Sequence, residues 1–294
     1  MQVSREQLQQ YRAQTFHTAP GRRVTTLDGA VDFVNERGFV FFWPTKNVLM
    51  PSLWVAAAGD RMVPDAHDDP GHITWDWKDT LLGKRRWYYA RGLRKRNMMV
   101  SLDVLPYFYA LSPNYGDPAE DYLIDYESGQ LPLAAKLIYE TLLHDGPQDT
   151  IALRRRAGLT SKGSDTEFAR ALDALQTSLR ILPVGVSDSG AWHYAFIYDL
   201  VPRHFPDLVD RAHEIAEHEA RQTLLGLYLD SVGAASLREI QRVFGVSPAN
   251  WETPRTERDL RKMQDRGEVR LGVEVEGVAG TCAIKTNAFP SLRV

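Results

Sequence analysis

The chain has 294 residues, 44% of them hydrophobic and 25% charged, a profile that excludes a mainly disordered or low-complexity protein. A formal net charge of -3 excludes a basic coat over the whole molecule, so any nucleic-acid surface has to be local. The lone Cys282 excludes an intramolecular disulfide. The first residues lack a signal-type apolar stretch, and the richest apolar run, 48–58, is short and contains Pro51, so a cytoplasmic protein without membrane spans is expected.

In chain order, Thr26 to Arg37 reads as a capped helix with Leu27, Ala30, Val31 and Val34 inward and Gly38 at its end. It belongs to an irregular region, 1–111, expected to form a degenerate winged helix. Next, Trp75-Asp-Trp-Lys-Asp79 sets two carboxylates and a lysine beside two indoles. Burial in such company tunes a general acid or base, which makes Asp76 and Asp79 the candidate catalytic residues. The plainer reading is a helix start with Trp anchors and a capping Asp.

The segment KRRWYYARGLRKR carries seven cations, Lys84, Arg85, Arg86, Arg91, Arg94, Lys95 and Arg96, with no carboxylate and with Trp87, Tyr88 and Tyr89 between them. Cations gain from phosphate by releasing counterions, and aromatic faces stack on exposed bases, so the composition suits a nucleic-acid surface. The alternative is a helix whose aromatics are core and whose cations pair with the acidic stretch that follows. That stretch, 112–130, holds Asp117, Glu120, Asp121, Asp125 and Glu127 with two prolines and no basic residue, and reads as a connector.

One pattern then occurs twice, in 131–206 and 207–294. In the first copy a helix runs from Pro132 to His144 and stops at Gly146-Pro147. A short helix follows with Asp149 as its cap. The third starts at Asp165 and places Phe168, Leu172, Leu175 and Leu179 on one buried stripe. A period of two through Trp192, Tyr194, Phe196 and Tyr198 then signals a β-hairpin. In the second copy the helices are Asp207 to Ser231, Ser236 to Phe244 and Thr256 to Arg266, and the strands are Val269 to Val275 and Cys282 to Thr286. Three helices with a short polar turn and a hairpin make a helix-turn-helix with a wing. The expected class is therefore mainly α with small β-hairpins, an α+β chain of tandem winged-helix modules.

The charges of these copies differ. The third helix of the first copy sets Asp165, Glu167 and Asp173 against Arg170, so it is expected to pack rather than read bases, leaving Arg154 and Arg155 on the preceding helix as phosphate candidates. In the second copy Arg255, Arg258, Arg261 and Lys262 outnumber the acids of their helix and make a positive face. Other motifs fail. Gly185-Val-Ser187-Asp-Ser189 lacks the final glycine of a nucleophile elbow, and His213 and His218 stand five apart, off the shared face of a zinc-binding helix. Without a Gly-rich phosphate loop or a Cys-based site, neither cofactor nor metal is expected.

Gly38-Phe-Val-Phe-Phe-Trp-Pro44 after the first helix, Asp149-Thr-Ile-Ala-Leu-Arg154, Ala191-Trp-His-Tyr-Ala-Phe196 and the Arg238 to Gly245 helix together resemble the YcaQ/AlkZ type of bacterial DNA glycosylase. The resemblance covers most of the chain. It implies three winged helices forming a concave basic surface on duplex DNA, and a Gln-hydrophobic-Gln or Gln-hydrophobic-Asp motif that activates water. Aligned through Gly38 and Val40, those motif positions fall on Phe41 and Trp43, and the family's following Arg and His fall near Met50 and Ser52. None of these can orient water and offset the charge of a cationic sugar. The resemblance thus implies a partner, double-stranded DNA, held by a non-catalytic or substrate-shifted relative in which Phe41 and Trp43 pack or wedge. The alternatives are an active glycosylase rebuilt around Asp76, Lys78 and Asp79, and a protein-interaction scaffold.

Overall fold

The computed structural model describes residues 2–66, 68–190, 192–245 and 251–289. Strand β1 (Gln2–Val3) leads into helix α1 (Arg5–Thr15), where the Ser4 hydroxyl accepts the Gln7 amide and the Ser4 amide donates to the Gln7 side chain. Helix α2 (Leu27–Arg37) begins where the Thr26 hydroxyl accepts the Gly29 amide and ends at Gly38, whose φ of 78° suits glycine. Then come β2 (Phe39–Phe41), α3 (Leu53–Ala58), α4 (Ile73–Leu81), β3 (Tyr88–Arg91) and β4 (Asn97–Val100). Helices α5 (Leu105–Ala110) and α6 (Asp121–Glu127) follow.

The same order returns as α7 (Leu133–Asp145), β5 (Gln148–Asp149), α8 (Thr150–Arg156), α9 (Ser164–Thr177), β6 (Ile181–Ser187) and β7 (Ala195–Leu200). After α10 (Val201–His204) and α11 (Leu208–His213) it recurs as α12 (Glu217–Val232), β8 (Ala234–Ser236), α13 (Leu237–Phe244), α14 (Thr253–Asp265), β9 (Val269–Val275) and β10 (Thr281–Lys285). In each unit the first strand pairs with the last, giving sheet orders β2-β4-β3, β5-β7-β6 and β8-β10-β9, the third extended by β1 lying parallel to β9. The molecule is mainly α with small antiparallel sheets, as its sequence pattern leads one to expect.

Several details depart from that pattern. The helix expected from Asp207 to Ser231 is broken at 214–216, where Ala216 is extended with ψ 145° and starts α12 afresh. Helix α9 ends before Leu179, whose φ of 54° turns it into a different core from Phe168, Leu172 and Leu175. The second hairpin strand starts at Ala195, leaving Trp192 90% exposed in the preceding turn. Helix α14 starts earlier than expected, at Thr253. The acidic stretch 112–130 contains α6 and is tied down: Asp121 accepts the Tyr115 and Gly116 amides at 2.7 and 2.8 Å, and Asp125 pairs with the buried Arg180 at 2.9 Å. The expected turn at 246–250 lies outside the described residues.

The first unit's sheet is covered on both faces. Phe39, Phe41, Tyr88, Ala90, Met98 and Val100 point into a core shared with α12 and α13 through Leu224, Leu225, Tyr228, Ile240 and Phe244. The alternate residues Val40, Phe42, Trp87, Tyr89 and Met99 pack on α2, α3 and α4. Removing apolar surface from water on both faces is the main force holding the first and last units together. Residues 2–15 also pack on the last unit: Arg12 donates to the Val232 and Ala234 carbonyls at 2.9 Å, a cation at the C-terminus of α12. Helix α13, whose apolar stripe of Ile240, Val243 and Phe244 enters the shared core, is started by Ser236 and Glu239 in a reciprocal cap. Ser236→Ala is expected to cost about 1 kcal/mol, readable as a lower midpoint in urea unfolding with an unchanged slope.

Candidate nucleic-acid interface

The segment 84–96 is a strand flanked by two turns, not a helix. Trp87, Tyr88 and Tyr89 are 3%, 2% and 4% exposed, so they are core and no base can stack on them. Their cations divide between the two ends of β3. Lys84, Arg85 and Arg86 lie in the turn before it, where Arg86 pairs with Asp28 at 3.2 Å and Arg85 approaches His204, whose pKa falls through burial and that positive charge. Arg91, Arg94, Lys95 and Arg96 lie at the other end. None of the ion-pair partners found for the segment comes from the acidic stretch 112–130.

That second end is the meeting point of all three units. The Arg91 guanidinium pairs with Asp173 and its amide donates to Gln176 Oε1 at 3.2 Å, both on α9. Arg94 donates to the Arg242 carbonyl of α13 at 2.6 Å. Between β3 and β4 the chain reverses through Arg94 and Lys95 with φ of 57° and 55°, closed by the Lys95 amide on the Gly92 carbonyl and the Arg96 amide on the Leu93 carbonyl at 2.9 and 3.1 Å. Two successive left-handed residues suit Asn-Gly. Holding Arg-Lys there costs about 1–2 kcal/mol per residue.

Facing this turn is the loop after β2, and a pocket of about 290 Å3 opens between them, lined by Trp43, Lys46, Arg91, Lys95, Arg96 and Asn97. Trp43 is half-buried, with its ring 5.8–6.1 Å from those of Trp54, His72 and Trp75. Among the described residues, no carboxylate lies within ion-pair distance of Lys46, Lys95 or Arg96, and the Asn97 side chain makes no hydrogen bond. Phe41, by contrast, is fully buried in the shared core.

The Trp75 to Asp79 cluster forms a second feature. Helix α4 buries Thr74, Trp77, Lys78 and Leu81, the stripe of an amphipathic helix. The Lys78 side chain is only 1% exposed. Its Nζ lies 2.7 Å from Asp79 Oδ1 and donates to the Tyr194 hydroxyl at 2.9 Å, and that hydroxyl donates to Asp79 at 2.9 Å. Rings of Trp75, Tyr89, Tyr194 and Phe196 surround the ammonium at 4.7–5.6 Å. Burial lowers the Lys78 pKa against the pull of Asp79, and burial raises that of Tyr194. The two candidate carboxylates are thus separated in role: Asp79 is committed to this triangle, and Asp76 is exposed on the same helix.

Of the remaining candidate cations, Arg154 is occupied. It pairs with Asp165 and donates to the Leu159 carbonyl and Ser164 hydroxyl at 2.7 and 3.1 Å, closing the turn between α8 and α9. Arg155 is exposed. On α14, Arg255 pairs with Glu217 at 3.0 Å and Arg261 with Glu257 at 3.5 Å, while Arg258, Arg261 and Lys262 are exposed. The acid Asp259 is taken up inside, held by Arg221 and Gln222 at 2.6 and 3.0 Å, so it does not offset that face. Among the described residues no three potential ligands are grouped to hold a metal, and no helix is long and apolar enough to cross a membrane.

Residues 24–245 match the family described as AlkZ related. The chain belongs to the AlkZ-related family. Its fold is similar to a solved structure, the Streptomyces sahachiroi DNA glycosylase AlkZ, with a TM-score of 0.58 and 18% identity over 97% of this chain and 71% of that one. No curated protein matches the chain.

Of the two residues on which the sequence comparison through Gly38 and Val40 is expected to place the family motif, Trp43 is the more informative in this AlkZ-related protein. It borders the pocket where the cations converge, while Phe41 is core. The sequence carried no signal for Lys46, in the loop after β2, or Asn97, the first residue of β4, which the β2-β4 pairing brings together.

Proposed function

We propose that this AlkZ-related protein binds double-stranded DNA through a chain of three winged helices, 1–111, 131–206 and 207–294, joined by 112–130, and does so without the water-activating motif of the glycosylases it resembles. The observation that carries this reading is the pocket bordered by Lys46, Arg91, Lys95 and Arg96 at the junction of the three units. Unpaired cations gathered at one place gain from releasing phosphate counterions, whereas cations already paired gain little. Lys95, Arg96 and Lys46 therefore carry the reading further than Arg86, Arg154 or Arg255, which have acidic partners. The exposed Arg258, Arg261 and Lys262 of α14 supply further phosphate contacts.

The test is fluorescence anisotropy on a labelled duplex over a range of salt. Neutralising Lys46, Lys95 and Arg96 together is expected to reduce the slope of log affinity against log salt by roughly three, at about 0.9 per phosphate contact. Absence of binding by the unaltered protein at low salt would reject the reading. In a gel cleavage assay with alkylated duplex no product is expected. Product that disappears with Asp76→Asn, or with Asp79→Asn under conditions where urea titration shows that variant folded, would instead establish an enzyme rebuilt around those carboxylates, and would bring the protein into the cytoplasmic base-repair machinery as a catalyst.

A further inference from the structure

We propose that the pocket over Trp43 takes one unstacked nucleobase, so that the protein prefers duplexes with a bulged or unpaired nucleotide to intact ones; this rests on the DNA-binding reading above. The pocket offers more than charge. A site for the duplex backbone alone needs cations on an open surface, yet this one places an indole and a free amide inside a concave volume of about 290 Å3, near the lower end for pockets that enclose small molecules. That is ample room for one base.

Each lining group has a task in holding such a base. The Trp43 ring is fixed by edge contacts with Phe42 and Trp75 at 4.8 and 5.9 Å between centroids, so a base stacking on it meets a preorganised surface. The Asn97 side-chain amide offers both a donor and an acceptor to a base edge, and its backbone is held in place because its carbonyl accepts the Phe42 amide at 2.9 Å. Lys46 on one wall and Lys95 and Arg96 on the other are set to hold the phosphates on either side of the extruded nucleotide. Backbone strain borders the same pocket, at Arg94 and Lys95 in the turn that forms one wall. Extruding a base is least costly where it has no pairing partner, which is why a bulge is the ligand of choice.

The experiment compares two labelled duplexes of one sequence, intact and with a single-nucleotide bulge, at fixed salt. The unaltered protein is expected to bind the bulged duplex about ten-fold more tightly. Trp43→Ala is expected to abolish that preference while keeping salt-dependent binding to both. Trp43→Phe should retain most of it. Lys95→Gly, which relieves a left-handed backbone and so should not lower the unfolding midpoint, is expected to weaken both complexes alike. Equal affinity of the unaltered protein for the two duplexes overturns the pocket's role and leaves DNA binding intact. Absence of binding to either rejects both readings. If Trp43→Ala fails to fold, Asn97→Ala on the two duplexes replaces it: loss of the preference supports the inference, and an undiminished preference overturns it.

Discussion

Replacing Asp79 with Asn is expected to cost about 3 kcal/mol of folding stability at neutral pH, several times the cost of Lys78→Met. The difference follows from which charge is left behind. Without Asp79, an ammonium only 1% exposed keeps four aromatic rings and the Tyr194 hydroxyl but loses its counter-charge. Breaking a buried pair by removing one partner typically costs about 3–5 kcal/mol. Without Lys78, the carboxylate that remains is 26% exposed and can take up water, and Met fills the same apolar space. The pH dependence has a definite sign. Burial holds the folded Lys78 below the ordinary lysine value of 10.5, so between these two pKa values the unfolded chain binds more protons and stability rises with pH. Asp79→Asn removes the opposing pull and extends that window downward, so this variant should recover part of its deficit between pH 7 and pH 9.5. Urea titrations of the three proteins at both pH values check this. A deficit that stays constant with pH would place the cost elsewhere than in the buried ammonium.

Gly83→Ala is expected to cost about 3 kcal/mol, against about 1 kcal/mol for Gly129→Ala, a position of the same backbone conformation. Their φ angles are 71° and 75°, so both substitutions carry the left-handed penalty. Only at Gly83 would the new Cβ meet another backbone, lying 2.4 Å from the Val184 carbonyl oxygen of β6, whereas nothing lies within 4 Å at Gly129. A backbone carbonyl cannot step aside as a side chain can, so the second unit's hairpin must move off the turn after α4. Paired thermal or urea melts isolate the contact between the first and second units as the difference between the variants. Equal costs at the two positions would show that this approach is not under constraint.

The elements that could be read from the sequence are those whose ends are set locally. Thr26 with Gly38, Asp149, and Ser236 satisfy orphan backbone groups within a few residues, and each bounds a helix where the pattern places it. The break in the helix expected from Asp207 is different, because Glu214-Ile-Ala216 contains neither glycine nor proline and the apolar period runs through it. There, packing of α11 on α5 overrides propensity. Three consecutive aromatics at 87–89 had the look of a surface because cations flank them. They are buried because β3 has core on both faces, with Tyr88 in one cluster and Trp87 and Tyr89 in another, and a strand covered on both faces shows no alternation. The site was legible only in fragments. Trp75, Lys78 and Asp79 stand together in sequence, but Tyr194 joins them from 116 residues away, and the pocket over Trp43 needs two loops that no periodicity connects.

The pairing of β1 with β9 has a consequence for how the molecule comes to be made. Arg5 donates its amide to Glu276 across 271 residues of chain, and Gln2 and Val3 align with Glu274 and Val275. During synthesis Gln2 and Val3 leave the ribosome without the strand they join, and they must wait until β9 has been made. Closure of the last sheet is therefore a late event with a large entropic barrier, whereas the middle unit, whose strands and helices are neighbours in sequence, can fold while translation continues.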